Sequence, residues 1–329
     1  MKKYTLKKSL FKEAPEPEPP RHFRIDYRNQ LNPAQYEAVT SVNGPHLIIA
    51  GAGTGKTRTI TYRVAYLVEL GVKPESILLL TFTRRAAQEM LRRASILLDA
   101  RCEKVAGGTF HSFANLVLRQ SAPLLDFDSS FSILDQGDAE DVVNLLRTQH
   151  KFDTKERRFP RKQTLYTIFS RAVNTLTPVK EILKEDYPHY EDFLEDILRL
   201  QSAFEQYKAS HNMMDYDDLL IYLRKLLRDH DRVRRTLSER YRYVMVDEYQ
   251  DTNRIQAEIV TLLASSHGNI MVVGDDAQSI YSFRGATIRN ILDFPEAFPG
   301  CTIVKLEENY RSTQPILNLT NEILRRARE

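Results

Sequence analysis

The short apolar run Leu47-Ile48-Ile49 gives way, past a stretch of small and polar residues, to apolar positions at Ile60, Val64, Leu67 and Val68. The first pattern is that of a strand buried on both faces. The second, spaced i, i+4, i+7 and i+8, lays one apolar stripe along a helix that Gly71 ends. The exchange repeats with a strand at 77–82 and a helix opened by Thr83. Alternation of this kind predicts a parallel sheet covered by helices. Between about 113 and 240 the strand pattern is absent, and helical stripes such as Phe193, Ile197, Leu200, Phe204 and Tyr207 replace it. Strand patterns return at 242–247 and 269–274, so the expected fold class is an α/β parallel sheet interrupted by an all-helical insertion. A strand at about 302–306 and a helix opened by Ser312 or Thr313, with Pro315 in its first turn, complete the pattern.

A chain of 329 residues with 42% hydrophobic content is long enough for two compact units with sizeable cores. Its apolar runs all fall well short of the ~20 residues that cross a bilayer, so no spanning segment is read here and no membrane partner is expected. Residues 1 to about 28 mix lysines with Glu13-Ala14-Pro15-Glu16-Pro17-Glu18-Pro19-Pro20, a composition expected to form a flexible extension rather than a secretory signal. Two cysteines, Cys102 and Cys301, make neither a disulfide framework nor a zinc site, so a reducing cytoplasm is the expected compartment. A net charge of +3 is too small to argue a nucleic-acid partner from the total.

Chemistry concentrates first in Ala50-Gly51-Ala52-Gly53-Thr54-Gly55-Lys56-Thr57, which has the form of a phosphate-binding loop between a strand and a helix. Its glycines let backbone N–H groups face phosphate oxygens, Lys56 places a point charge on the β and γ phosphates, and Thr57 offers a hydroxyl to Mg2+. Ala50 stands where the general pattern has its first glycine. The run Val244-Met245-Val246-Asp247-Glu248 then places two carboxylates at the end of a buried strand, where an open α/β sheet binds its ligands. Asp247 suits the Mg2+ sphere and Glu248 suits a base that polarises the attacking water. A nucleoside triphosphate and Mg2+ are therefore the expected cofactors.

Further blocks are Leu31-Asn32-Pro33-Ala34-Gln35, Leu80-Thr81-Phe82-Thr83-Arg84-Arg85-Ala86-Ala87, Gly108-Thr109-Phe110-His111-Ser112-Phe113, Val273 through Ala286, Asp247-Glu248-Tyr249-Gln250-Asp251, and Glu308-Asn309-Tyr310-Arg311-Ser312-Thr313. In order and spacing the set resembles the motifs of the UvrD/Rep/PcrA helicases of superfamily 1, from about residue 30 onward. The resemblance implies a RecA-like phosphate-loop NTPase domain at 29–112 and 214–286, a helical insertion at 113–213, and the opening of a second RecA-like domain at 287–329. That second domain's remaining motifs, including its other catalytic arginine, are then expected outside these residues. It further implies ATP as the nucleotide, driving 3′ to 5′ movement on single-stranded DNA and at single/double-strand junctions. Gln35 matches the residue that reads the adenine edge and Tyr310 the ring that stacks on the base, while Ala50 through Arg58 surround the phosphates. Gln278 and Arg311 match groups that touch the γ-phosphate, Arg311 from across the cleft. Phe82, Thr83, Arg84, Phe110, His111, Tyr281, Phe283 and Arg284 match the strand contacts.

Plain structural readings stand beside these. Phe110 reads as core, and His111 equally as a satisfied buried histidine with no metal role. In Asp215-Tyr216-Asp217-Asp218 the acids open a helix, with Asp215 as its cap. The run Arg232, Arg234, Arg235 reads as a solvated helix face. The family often has tryptophan where Phe283 stands, which weakens stacking there, and Arg84-Arg85 replaces a frequent Asn-Lys. Two other functions fit the same motifs: a nucleotide-gated single-stranded DNA-binding module without motor activity, and an unrelated phosphate-loop ATPase.

Overall fold

The computed structural model describes residues 22–152, 158–281 and 285–326. In chain order the strands are β1 (Pro45–Ala50), β2 (Ile77–Thr81), β3 (Ala106–Thr109), β4 (Ser132–Ile133), β5 (Met213–Met214), β6 (Tyr243–Val246), β7 (Ile270–Gly274) and β8 (Thr302–Leu306). Six of them form one sheet in the order β3-β2-β6-β7-β1-β8. Every pairing in it is parallel.

Successive side chains of a strand face opposite sides, and here both sides are covered. Leu47, Leu78, Leu80, Val244, Val246, Ile270 and Val272 enter one core together with helices Phe110–Ser121, Tyr216–Asp229 and Arg254–Leu263. Ile48, Ile77, Leu79, Met245, Met271 and Val273 enter the other, against Ile60, Val64, Leu67 and Val68 of helix Lys56–Glu69. Double coverage is why the strands read as unbroken apolar runs. Each fully buried Leu or Ile here contributes about 1.5–3 kcal/mol.

The helical insertion has a core of its own, built from residues such as Leu134, Val143, Leu165, Phe169, Ile197, Leu200 and Phe204. Helix Phe110–Ser121 lies outside it, because Phe113, Ala114, Val117 and Leu118 pack into the sheet's core. The insertion is also not purely helical. At its base β4 pairs parallel with β5, Ser132 opposite Met213 and Ile133 opposite Met214. Two-residue strands leave no periodicity to read.

Strand β8, expected to open a second domain, is instead the edge of this same sheet, with His46 through Ala50 opposite Thr302 through Leu306. Val304 and Leu306 turn into the core beside Ile48 while Thr302, Ile303 and Lys305 stay exposed. Helix Gln314–Arg326 follows, carrying exposed Ile316, Leu319 and Ile323.

Residues 22–28 differ from the flexible extension read from sequence. Ile25 and Tyr27 are buried, Phe23 stacks on Tyr66 with ring centroids 5.2 Å apart, and the Tyr27 hydroxyl donates to Glu69 at 2.8 Å. Alternating Phe23, Ile25 and Tyr27 was the signal that marked them as packed. The extension's remainder, 1–21, lies outside the described residues. No helix among the described residues is long and apolar enough to cross a membrane.

Candidate nucleotide and nucleic-acid site

Because the sheet is parallel, the loops after its strands gather along one edge, the edge at which α/β sheets bind ligands. The loop after β1 turns through Gly53 at φ +86° and Gly55 at φ +92°, conformations that glycine adopts without steric cost. It also leaves no room for a side chain. A Cβ on Gly55 would stand 2.7 Å from Gln35 Nε2. Lys56, the first residue of the following helix, donates to Glu248 Oε2 at 2.8 Å and to Gln278 Oε1 at 3.4 Å.

Glu248 reaches Lys56 from an uncommon backbone state, φ +50° in a non-glycine residue, which costs on the order of 1–3 kcal/mol. The surrounding network holds it there. Gln250, almost fully buried, donates from Nε2 to Glu248 Oε2 at 2.8 Å and accepts on Oε1 from the Asp275 N–H at 3.0 Å. Gln278 Nε2 donates to Asp275 Oδ2, closing a ring Lys56–Glu248–Gln250–Asp275–Gln278 across the ends of β1, β6 and β7. Sequence reasoning gave Gln250 and Asp275 no role; both lie inside the quoted blocks, but their link spans two loops.

Asp247 is buried beside this ring, and burial, followed by the Glu248 charge, raises its carboxyl to about 7 against the opposing pull of Lys56. Its Oδ1 is buried with no hydrogen-bond partner. An unpartnered carboxylate oxygen sharing a cavity of about 610 Å³ with Thr57, Glu248 and Gln278 fits a divalent cation. Among the described residues no group of three or more His, Cys, Asp or Glu is placed to hold a metal. Two protein oxygens suit Mg2+, which keeps waters and phosphate oxygens as its other ligands.

The adenine-side candidates meet through Asn32, which caps helix Pro33–Thr40 reciprocally with Gln35 and donates from Nδ2 to the Tyr310 hydroxyl at 2.8 Å. Gln35 is buried and donates to the Thr54 carbonyl at 3.0 Å, bracing the phosphate loop. Tyr310 is 62% exposed. Arg311 does not stand across a cleft from the loop. The Tyr310 N–H donates to the Gly53 carbonyl at 2.9 Å, Asn309 Nδ2 donates to the Ala52 carbonyl at 2.6 Å, and Asn309 Oδ1 accepts from the Arg311 and Ser312 N–H groups. Continuity of β8 with the sheet delivers this segment to the loop. Arg58 uses its guanidinium on the Gln30 carbonyl and the Tyr62 hydroxyl.

Of the strand-contact candidates, Phe82 is 41% exposed and packs on Tyr281 with centroids 4.9 Å apart. Thr83 accepts from the Ala86 N–H as a helix cap, and Arg84 is exposed. Phe110 is only 4% exposed and belongs to the core. His111, half-buried and lowered in pKa by burial, meets the exposed ring of Tyr216 edge-on at 5.9 Å. Tyr216, read from sequence only within an acidic helix start, thus joins Phe82 and His111 along a cavity of about 540 Å³ between sheet and insertion. Phe283 and Arg284 lie outside the described residues.

A doubly covered parallel sheet with a lysine-bearing glycine loop facing a strand-end carboxylate pair defines a phosphate-loop nucleotide-binding protein. The chain belongs to the UvrD/REP helicase N-terminal domain family, which it matches over residues 31–299. It is similar to the ATP-dependent DNA helicase PcrA of Bacillus subtilis (strain 168), 40% identical over 299 residues covering 90% of this chain and 39% of that protein. The PcrA proteins of Staphylococcus aureus (strain Mu50 / ATCC 700699) and Staphylococcus epidermidis are 37% and 38% identical, again over 90% of this chain and 40% of theirs. The chain therefore spans about two fifths of the length of these relatives.

Proposed function

We propose that this chain is the N-terminal motor portion of a cytoplasmic ATP-dependent 3′ to 5′ DNA helicase, binding Mg-ATP and single-stranded DNA, with single/double-strand junctions as the working substrate. The observation that carries the reading is the convergence of Lys56, Glu248 and Gln278 within hydrogen-bonding distance at the ends of three parallel strands, beside the Phe82–Tyr281 pair. Backbone N–H groups of the loop and the Lys56 ammonium bind the phosphates. Thr57 and Asp247 would hold Mg2+, which would supply charge neutralisation at the phosphates. Glu248, steered by Gln250, accepts the proton of the attacking water, and Gln278 orients the terminal phosphate. Arg311, whose Cβ lies beside Gly53, adds a permanent positive charge for the transition state. Phe82, Tyr281, His111 and Tyr216 offer ring faces to unpaired bases, a sequence-tolerant mode of binding.

Titration with a fluorescent ATP analogue in Mg2+, followed by anisotropy with a labelled oligonucleotide, tests both halves. Lys56→Ala should lose nucleotide binding and keep DNA binding. Equal nucleotide affinity in the two proteins would remove the phosphate-loop assignment, and absence of DNA binding would remove the strand-binding half of the proposal.

A further inference from the structure

Asn174 sits near the end of helix Lys162–Thr175, in the insertion, yet its side chain is spent on the sheet domain. Its Oδ1 accepts from Asn253 Nδ2 at 2.7 Å, and its Nδ2 donates to Asp217 Oδ1 at 2.7 Å and to the Ser170 carbonyl at 2.9 Å. Asn253 is the N-cap of helix Arg254–Leu263 and stands one residue past the turn Tyr249–Asp251 that leads away from Glu248, with Thr252 between them. The turn is anchored on the sheet side by Gln250 to Asp275, and by Asn290, whose amide donates to the Thr252 and Asn253 carbonyls. From the insertion, the anchor is Asn174.

A second element presses on the same residue. Gly285 has φ +79°, and a Cβ there would lie 2.9 Å from Asn174 Cβ and 3.1 Å from its carbonyl carbon and oxygen. Gly285 therefore lies flat against Asn174, and the Ala286 N–H donates to the Tyr281 carbonyl at 3.3 Å. Asn253 is bridged to Ala286 as well. One residue thus bonds through its amide to the cap that follows the turn carrying the proposed base, and meets Gly285 through its Cβ and backbone carbonyl. Hydrogen bonds at this length tolerate little displacement, so a shift of either partner must be taken up by the other or by breaking the amide's bonds.

We propose that Asn174 is a positioning residue that couples nucleotide binding to single-stranded DNA binding, by tying the insertion, and Gly285 and Ala286 with the Tyr281 carbonyl they close on, to the Glu248–Asn253 segment. This rests on the proposed function above. The coupling must be reciprocal: DNA changes nucleotide affinity by the factor by which nucleotide changes DNA affinity.

The test measures the affinity of a fluorescent ATP analogue in Mg2+, without and with saturating oligothymidylate, on the whole chain. Wild type should show a ratio of about 5- to 150-fold, the range usual for coupled sites. Asn174→Ala should bind each ligand alone within about threefold of wild type while the ratio collapses toward one. Asn174→Asp, which sets a carboxylate against Asp217, should lose the coupling too. Adding Asp217→Asn to Asn174→Asp should restore it in part, since the new amide donates to the new carboxylate and Asn253 keeps its acceptor while the bond to the Ser170 carbonyl stays lost; a merely structural role would move the separate ligand affinities and the melting temperature and leave the ratio unchanged. A wild-type ratio kept by Asn174→Ala overturns the proposal and leaves the proposed function standing, as does a wild type that binds both ligands with no coupling. A wild type that binds neither ligand overturns both.

Discussion

Replacing Glu248 by glutamine should tighten nucleotide binding while abolishing turnover. Lys56 and Glu248 form an ion pair at 2.8 Å with side-chain exposures of 10% and 33%. A triphosphate must draw the Lys56 ammonium away from this partner and must also tolerate the nearby carboxylate charge. Fully exposed pairs are worth about 0–1 kcal/mol, and breaking fully buried ones costs about 3–5 kcal/mol. With Glu248 a third exposed, solvent screening brings the competing term to about 1–2 kcal/mol, and at about 1.4 kcal/mol per tenfold Glu248→Gln should bind Mg-ATP about 5- to 30-fold more tightly. Glutamine keeps the shape and can still bond to Gln250, but it cannot take a proton, so phosphate release should fall by about 10²- to 10⁴-fold. Equilibrium titration with a fluorescent ATP analogue, paired with a phosphate-release assay, reads both quantities. Unchanged or weaker affinity together with persisting turnover would refute the placement of Glu248 as both lysine partner and base.

Gly55→Ala should destabilise the fold by about 2–3 kcal/mol and block nucleotide binding, since alanine at φ +92° is strained and its Cβ meets Gln35; an unchanged melting temperature would show that the loop relaxes freely. Tyr281→Ala and Phe82→Ala should each weaken single-stranded DNA binding by about 1–3 kcal/mol, on a background that falls steeply with salt. Anisotropy reads this, and affinities equal to wild type would make the pair internal packing. His46 is buried and held neutral, its pKa lowered to about 3 by burial and then by the Arg63 charge. The unfolded chain takes up that proton near pH 6.5 and the folded chain does not, so stability present above pH 6.5 is lost as pH falls toward 3, by about 1.4 kcal/mol per pH unit from this group. Urea unfolding across that window should show a shallower slope for His46→Asn, and identical slopes would mean that the histidine is charged in the fold.

Elements with strong local pattern were legible in the sequence. Buried strands announce themselves as apolar runs, Thr83 and Asp215 are the helix caps their side chains suit, and of the arginines read as a solvated helix face Arg232 and Arg235 are exposed, whereas Arg234 is half-buried and donates to the Leu227 and Arg228 carbonyls. What escaped depends on partners distant in sequence. The edge strand β8 looks the same in one-dimensional pattern whichever sheet it joins, and only its register with β1 brings Asn309 and Arg311 to the phosphate loop. The acids after β5 were read correctly as a helix start, yet buried Lys208, bonded at 2.7 Å to Asp215 and 2.6 Å to Asp218, gives no sign in the sequence that it lies between them. Tyr216 was likewise hidden inside that acidic run, because its exposure and its contact with His111 follow from how two helices start side by side.

The most direct measurement of the central claim is phosphate release from ATP by this chain, with and without Mg2+, with and without a single-stranded oligonucleotide, in wild type and Lys56→Ala. Turnover should require both Mg2+ and Lys56. Release that survives Lys56→Ala at the wild-type rate would contradict that claim, because the chemistry would then lie elsewhere than between the phosphate loop and Glu248.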